Sequence, residues 1–197
     1  MRIPKGFAVL VVALCVSAAV AQIMMPLPPY GNTYSGNVRG YWFTAPVNFT
    51  IVGLRVPDEQ NYGLQSVEVV RFNNNQPPPT YPATTNDFVS LARFVDQPSA
   101  NILQVNIPVQ AGQVIGIYGQ CGTRNSYGTP AGPFQSQIFG HPVTLTRSGM
   151  QYTLNSGPMR EIWQEPPYQV ARVEMYYIPE PASLGLFGLA TLLLRRR

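Results

Sequence analysis

Few side chains in this sequence can do chemistry, and their types narrow what that chemistry would be. His141, in the stretch FGHPVTL, is the one histidine among 197 residues. A single imidazole does not supply the several ligands of an ordinary zinc centre. Serines and aspartates are available to complete a Ser-His-Asp arrangement, but no GxSxG nucleophile elbow accompanies them. His141 therefore reads as a structural or surface residue. The carboxylates come next: Asp58, Glu59, Glu68, Asp87, Asp96, Glu161, Glu165 and Glu174. Two of them brought within about 5–10 Å could hydrolyse a glycosidic bond. Asp58-Glu59 could offer oxygens to calcium, which takes six to eight. Simpler assignments exist: a solvated turn after Pro57 for Asp58-Glu59, and cross-strand ion pairs for Glu68 and Glu174, with Arg71 and Arg172 beside them in sequence. The only lysine, Lys5, lies at the extreme N-terminus, so lysine bases and Schiff bases are excluded from the rest of the chain. The expectation is a domain with no catalytic residue, no metal site and no cofactor.

Aromatic residues give a second opening. Trp42, inside Tyr41-Trp42-Phe43, and Trp163 are joined by Tyr118, Tyr127, Tyr152, Tyr168, Tyr176 and Tyr177. Exposed indoles can stack on sugar rings while Asn, Gln and Arg bond the hydroxyls. Large aromatics also fill cores, where their area contributes most. Trp42 and Trp163 are thus candidates for sugar stacking and for the core.

The elements that must position these side chains read as strands. Between residues 22 and 178, apolar and β-branched runs alternate with Pro, Gly and Asn clusters, without a helical period. In PVNFTIVGLRVP (46–57), Val47, Phe49 and Ile51 share one face, then Val52, Leu54 and Val56 take the opposite phase. A slip of one residue beside Gly53 is what a β-bulge produces. LQSVEVVRF (64–72) is apolar on both faces and reads as a central, covered strand. NNNQPPPTYP (73–82) is a loop, and DFVSLARFVD (87–96) fits a strand or one helical turn. NILQVNIPVQAGQVIGIYG (101–119) reads as a hairpin turning at Ala111-Gly112. Short strands are expected at 134–139, 142–147, 150–155 and 160–164. YQVARVEMYYI (168–178) closes the set with Ala171, Val173, Met175 and Tyr177 on one side. The expected fold is all-β: one β-sandwich of jelly-roll-like type, with a closed barrel as second choice, flanked by an N-terminal signal peptide and a C-terminal hydrophobic helix. Cys121 is the only cysteine past the signal region, so no internal disulfide is expected and its thiol reads as a small buried hydrophobe.

Both ends read as addresses. Residues 1–21 carry Arg2 and Lys5, an apolar run from Phe7 to Val20, and a small-residue site at Ala19-Val20-Ala21. That is a secretory signal with cleavage before Gln22, the apolar run being shorter than the roughly 20 residues of a span. Residues 22–40 form a proline/glycine-rich leader, expected to be extended and poorly ordered, and 41–178 form the β-domain. Once the two ends are set aside, eight Lys+Arg face eight Asp+Glu, so the formal +4 belongs to the ends. No basic stripe remains to neutralise phosphates, which argues against a nucleic-acid partner.

The last residues read IPEPASLGLFGLATLLLRRR. Pro179-Glu180-Pro181, the apolar stretch 182–194, and Arg195, Arg196 and Arg197 follow one another in the order that resembles the PEP-CTERM sorting signal of Gram-negative bacteria. The resemblance covers 179–197 only. It implies export, retention in the inner membrane through the segment 182–194, and processing near Pro-Glu-Pro by an exosortase-like enzyme after signal peptidase has acted. It also implies delivery to the cell surface or beyond, in bacteria that make extracellular polysaccharide. Physical reasoning agrees with the orientation: three arginines past an apolar stretch stay cytoplasmic and place the domain outside. At about 1.5 Å per residue the thirteen apolar residues reach only about 20 Å, short of a full hydrocarbon core. The combined expectation is an exported, non-enzymatic protein with a structural or interaction role in the envelope or polysaccharide matrix. The alternatives are a carbohydrate-binding module and a secreted hydrolase.

Overall fold

The computed structural model describes residues 21–180; the helix expected at 182–194, Ala19, Pro181 and the terminal arginines lie outside the described residues. The apolar alternation becomes thirteen strands: β1 (Ile23–Met24), β2 (Tyr30–Ser35), β3 (Arg39–Thr44), β4 (Phe49–Arg55), β5 (Gln65–Phe72), β6 (Phe88–Gln97), β7 (Leu103–Val109), β8 (Val114–Cys121), β9 (Arg124–Gly128), β10 (Phe134–Ile138), β11 (His141–Gly149), β12 (Trp163–Gln164) and β13 (Glu174–Pro179). Helical structure among the described residues is confined to two 3-10 turns, at Asn73–Asn75 and Leu154–Ser156. The described chain is all-β.

The strands form two sheets. The smaller runs β1-β13-β4-β7, and the larger runs β10-β11-β3-β8-β5-β6, with β12 beside β11 and the β2-β9 pair reached through β8. The sheets include a curled half-barrel. Phe49, Ile51 and Leu54 of β4, Met175 and Tyr177 of β13, and Ile107 and Val109 of β7 pack in one apolar cluster with residues of the larger sheet. The latter are Tyr41 and Phe43 of β3, Val67 and Val69 of β5, Ile115 and Ile117 of β8, and Leu145 of β11. Alternation along each strand makes this cluster possible, because every second side chain points to the same face.

A second apolar layer lies on the far face of the larger sheet. Val70 and Phe72 of β5 and Val114 and Tyr118 of β8 pack there against Met150, Leu154, Met159, Ile162 and Trp163. The segment 150–162 thus lies across the sheet instead of adding a strand at 150–155, and the strand expected at 160–164 is shortened to β12. Its apolar residues are spaced irregularly, which suits a covering loop and not a period of two. Trp163-Gln164 pairs against Ser148 and Gly149, and Ile162 forms an antiparallel bridge with Thr85.

Several expectations meet definite outcomes. The phase change in 46–57 is a bulge: the register of β4 shifts between Ile51 and Gly53 against β7, and opposite Tyr176/Tyr177 against β13. β5 is central, flanked by β6 and β8 and covered on both faces. DFVSLARFVD is a strand. The hairpin expected at 101–119 is corrected. β7 pairs with β4 in the smaller sheet, while β8 pairs with β3 and β5 in the larger one. The turn at Gln110–Gln113 therefore carries the chain across the core, and Ala45 fastens it, accepting from Gly112 N–H and donating to Gln113 O, both at 2.8 Å. The leader 22–40 is built into the sheets: β1 pairs with β13, β2 with β9, and Met25 is fully buried. Proline spares each extended stretch a donor it cannot pair, which suits such edges.

Candidate functional site

The two tryptophans go to opposite fates. Trp163 is 1% exposed, within the second apolar layer, with the Arg39 guanidinium 5.2 Å from its ring centroid and Tyr81 at 5.5 Å. Its proposed role as a sugar platform is corrected: it is core. Trp42 is half-buried. One side of its indole rests on the second apolar layer, and its Nε1 donates to Gln164 Oε1 at 3.0 Å. A ring held at its edge by a hydrogen bond and at its back by packing is oriented before any ligand arrives.

Register defines what surrounds Trp42. Directly opposed residues of antiparallel strands share a face. Thr146 of β11 faces Trp42 of β3, while Thr144 and Pro142 of β11 face Gln135 and Gln137 of β10. Thr44, two residues beyond Trp42, joins the same face by alternation. Trp42, Thr44, Pro142, Val143, Thr144 and Thr146 line a shallow groove of about 300 Å³. Thr44, Gln135, Gln137, Pro142 and Thr144 are all exposed, and Thr144 Oγ1 bonds Gln135 Oε1 at 3.1 Å. Inward-facing Leu145 and Ile138 of the same strands belong to the core. The site is thus the uncovered half of the larger sheet's outer face, with Trp42 at the border of the covered half.

Other candidates are placed differently. His141 is exposed at the first position of β11, opposite Ile138. Asp58 accepts Tyr62 N–H at 2.7 Å, Gly63 N–H at 3.2 Å and Ser99 Oγ at 3.3 Å, which makes it the clasp of the 58–63 loop. Its neighbour Glu59 pairs with Arg172. Glu68 and Glu174 form cross-strand ion pairs, though with Arg93 and Arg55, the residues opposite them in register, and not with the arginines nearest in sequence. Asp87 is bonded by Asn73 and Asp96 by Asn155, while Glu161 is exposed. Among the described residues no group of three or more His, Cys, Asp and Glu is placed to hold a metal ion. Cys121 is buried and free, its Sγ 3.7 Å from Val56 O, and burial pushes the thiol up to about 12.

A cluster the residue-by-residue reading does not reveal lies beside Trp163. Glu165 Oε2 is 2.8 Å from Arg147 Nε and 3.7 Å from Arg39 Nε, and Arg39 also donates to Met150 O and Val38 O. Tyr127 and Tyr168 flank Arg147 with centroids 4.8 and 5.2 Å from its guanidinium carbon, and Tyr34 stacks on Tyr127 at 6.0 Å. Burial lowers Arg39 and raises Tyr127 from their ordinary values, the charged form of each losing hydration. Guanidinium-aromatic stacking with one shared carboxylate fastens β2, β3, β9, β11 and the chain after β12 together.

Comparisons of the chain with protein-family models, curated proteins and solved structures find no match. Among the described residues no helix is long and apolar enough to cross a membrane.

Proposed function

We propose that this chain is an exported, surface-destined, non-enzymatic protein with an interaction role in the envelope or extracellular polysaccharide matrix. Its domain is read as a β-sandwich of jelly-roll-like type, because buried side chains of both sheets meet in one layer. Export rests on the N-terminal signal, with Ala19, Ala21 and Gln22 at the cleavage site. Sorting rests on Pro179, Glu180 and Pro181, the segment 182–194, and Arg195 to Arg197. Signal peptidase and an exosortase-like enzyme are its processing partners, and the inner membrane is a transient station.

One observation carries the non-enzymatic reading: of the eight carboxylates between residues 22 and 178, all but the exposed Glu161 are bonded to a partner of the fold itself. Carboxylates held by arginines, amides and backbone N–H groups are structural clasps, whereas catalytic pairs share a cleft. The test is fractionation of a host bearing the processing enzyme. Wild-type chain should pass from the membrane to the surface or medium with loss of the tail. Replacing Arg195, Arg196 and Arg197 by Ser should let uncut precursor escape; retention and cutting at the wild-type rate would overturn the sorting reading.

A further inference from the structure

The exposed face around Trp42 has the composition of a ligand surface, and one class of ligand fits it. Across β10, β11 and β3 it presents one pinned indole and the exposed polar side chains of Thr44, Gln135, Gln137 and Thr144, with Thr146 buried in the groove's lining. Every one of these groups is neutral. Hydroxyls and amides both donate and accept, and the indole offers an apolar face. Strand spacing of about 4.8 Å makes the patch about 10 Å wide, and Pro142 to Thr146 run about 14 Å along β11. The surface is therefore broad, shallow and open at its ends, suited to an extended chain and not to an enclosed small molecule.

From this we infer that the Trp42 face binds a neutral polysaccharide, one sugar ring lying on the indole while the threonine hydroxyls and glutamine amides exchange hydrogen bonds with its hydroxyls. Charge decides between neutral and acidic polymers. An acidic polymer needs cations to offset desolvation of its carboxylates or sulfates, and the lining residues provide none. Arg147, which follows Thr146 in β11, and Arg39 are engaged by Glu165. The indole's orientation is fixed by Gln164, so little side-chain freedom is lost on binding. This inference rests on the surface-destined reading only for where the protein would meet the polymer; the binding itself is a property of the fold.

The test is calorimetric titration of the full-length chain, purified in detergent, with hydroxyethylcellulose and a soluble galactomannan as neutral probes and alginate as the acidic one. At least one neutral probe should bind saturably, with alginate at least about tenfold weaker. Trp42→Ala should weaken binding about tenfold or more, the equivalent of losing one aromatic stacking contact. Trp42→Phe keeps a ring and should recover most of it. Should Trp42→Ala fail to fold, Thr144→Glu places a charge at an exposed position of the same strip and should abolish binding while leaving the thermal midpoint unchanged. No binding to either neutral probe, a preference for alginate, or wild-type affinity in a folded Trp42→Ala or Thr144→Glu protein would overturn the inference. Failure here would leave tail processing untouched, and failure of processing would leave the titration untouched, so the two readings fall separately.

Discussion

Glu68 and Arg93 face each other across β5 and β6, Oε2 to Nε at 3.5 Å, with the carboxylate fully buried and the guanidinium reaching solvent. The same carboxylate accepts Ser90 Oγ at 2.7 Å and the Met159 N–H at 3.0 Å, while Arg93 donates to Leu154 O at 2.6 Å. Together they fasten the covering segment 150–162 to the sheet. Replacing Arg93 by Met leaves a buried carboxylate without its cation. The expected loss is about 3 kcal/mol of unfolding free energy, measured by urea titration at neutral pH.

Burial raises the Glu68 carboxyl above its ordinary 4.5, its hydrogen bonds and Arg93 opposing that shift only in part. The folded chain therefore binds more protons than the unfolded one between 4.5 and the raised value. Stability from this group falls as pH rises through that window and is constant outside it. Urea midpoints of wild type and Glu68→Gln compared from pH 4 to 7 should diverge in slope, the variant lacking this contribution. Parallel curves would refute the assignment.

Trp163 and Trp42 should separate in stability as they do in position. Trp163→Ala removes a fully buried indole and should cost about 3–5 kcal/mol. Trp42→Phe, at a half-exposed site, should change unfolding free energy by less than about 1.5 kcal/mol. Equal losses would mean that Trp42 is as much core as Trp163.

Glu165 is the one carboxylate beside Arg39 and Arg147 in the aromatic cluster. Glu165→Gln leaves two mostly buried guanidiniums without an anion, and about 2–4 kcal/mol should be lost. The matching readout is near-ultraviolet circular dichroism, since Tyr34, Tyr127 and Trp163 surround the arginines.

Cys121 should be silent toward a thiol reagent at pH 8 until the protein unfolds. Its Sγ lies in the core and burial holds the thiol up at about 12, so thiolate is scarce at that pH. Rapid labelling of native protein would contradict this placement.

The all-β character is legible in the sequence because period-two alternation is local, and so is the bulge at Gly53, where the apolar phase visibly flips. The path after Val109 is not legible. Alternating residues in β7 and β8 look the same whether the next strand is a hairpin neighbour or lies across the core. The fate of the tryptophans is hidden for a related reason. Both sit in apolar surroundings, and which half of the sheet's outer face is covered depends on where Met150, Leu154, Met159 and Ile162 land. Only the register shows that Glu68 meets Arg93 and not Arg71. The neutral strip shows in outline, as the polar members of FQSQI and HPVTLT, but its meeting with Trp42 depends on the pairing of β11 with β3.

The pairing of β1 with β13 brings Ile23 opposite Tyr177 and Met24 opposite Tyr176, so the two ends of the domain leave it side by side. β13 is also paired with β4 along its whole length, Glu174 to Pro179, with one bulge between Tyr176 and Tyr177. A pull on Glu180 along the strand therefore loads those ladder bonds together, in shear, instead of opening them one at a time. If this domain hangs from a tether at its C-terminal end, it meets tension through the strand best placed to bear it.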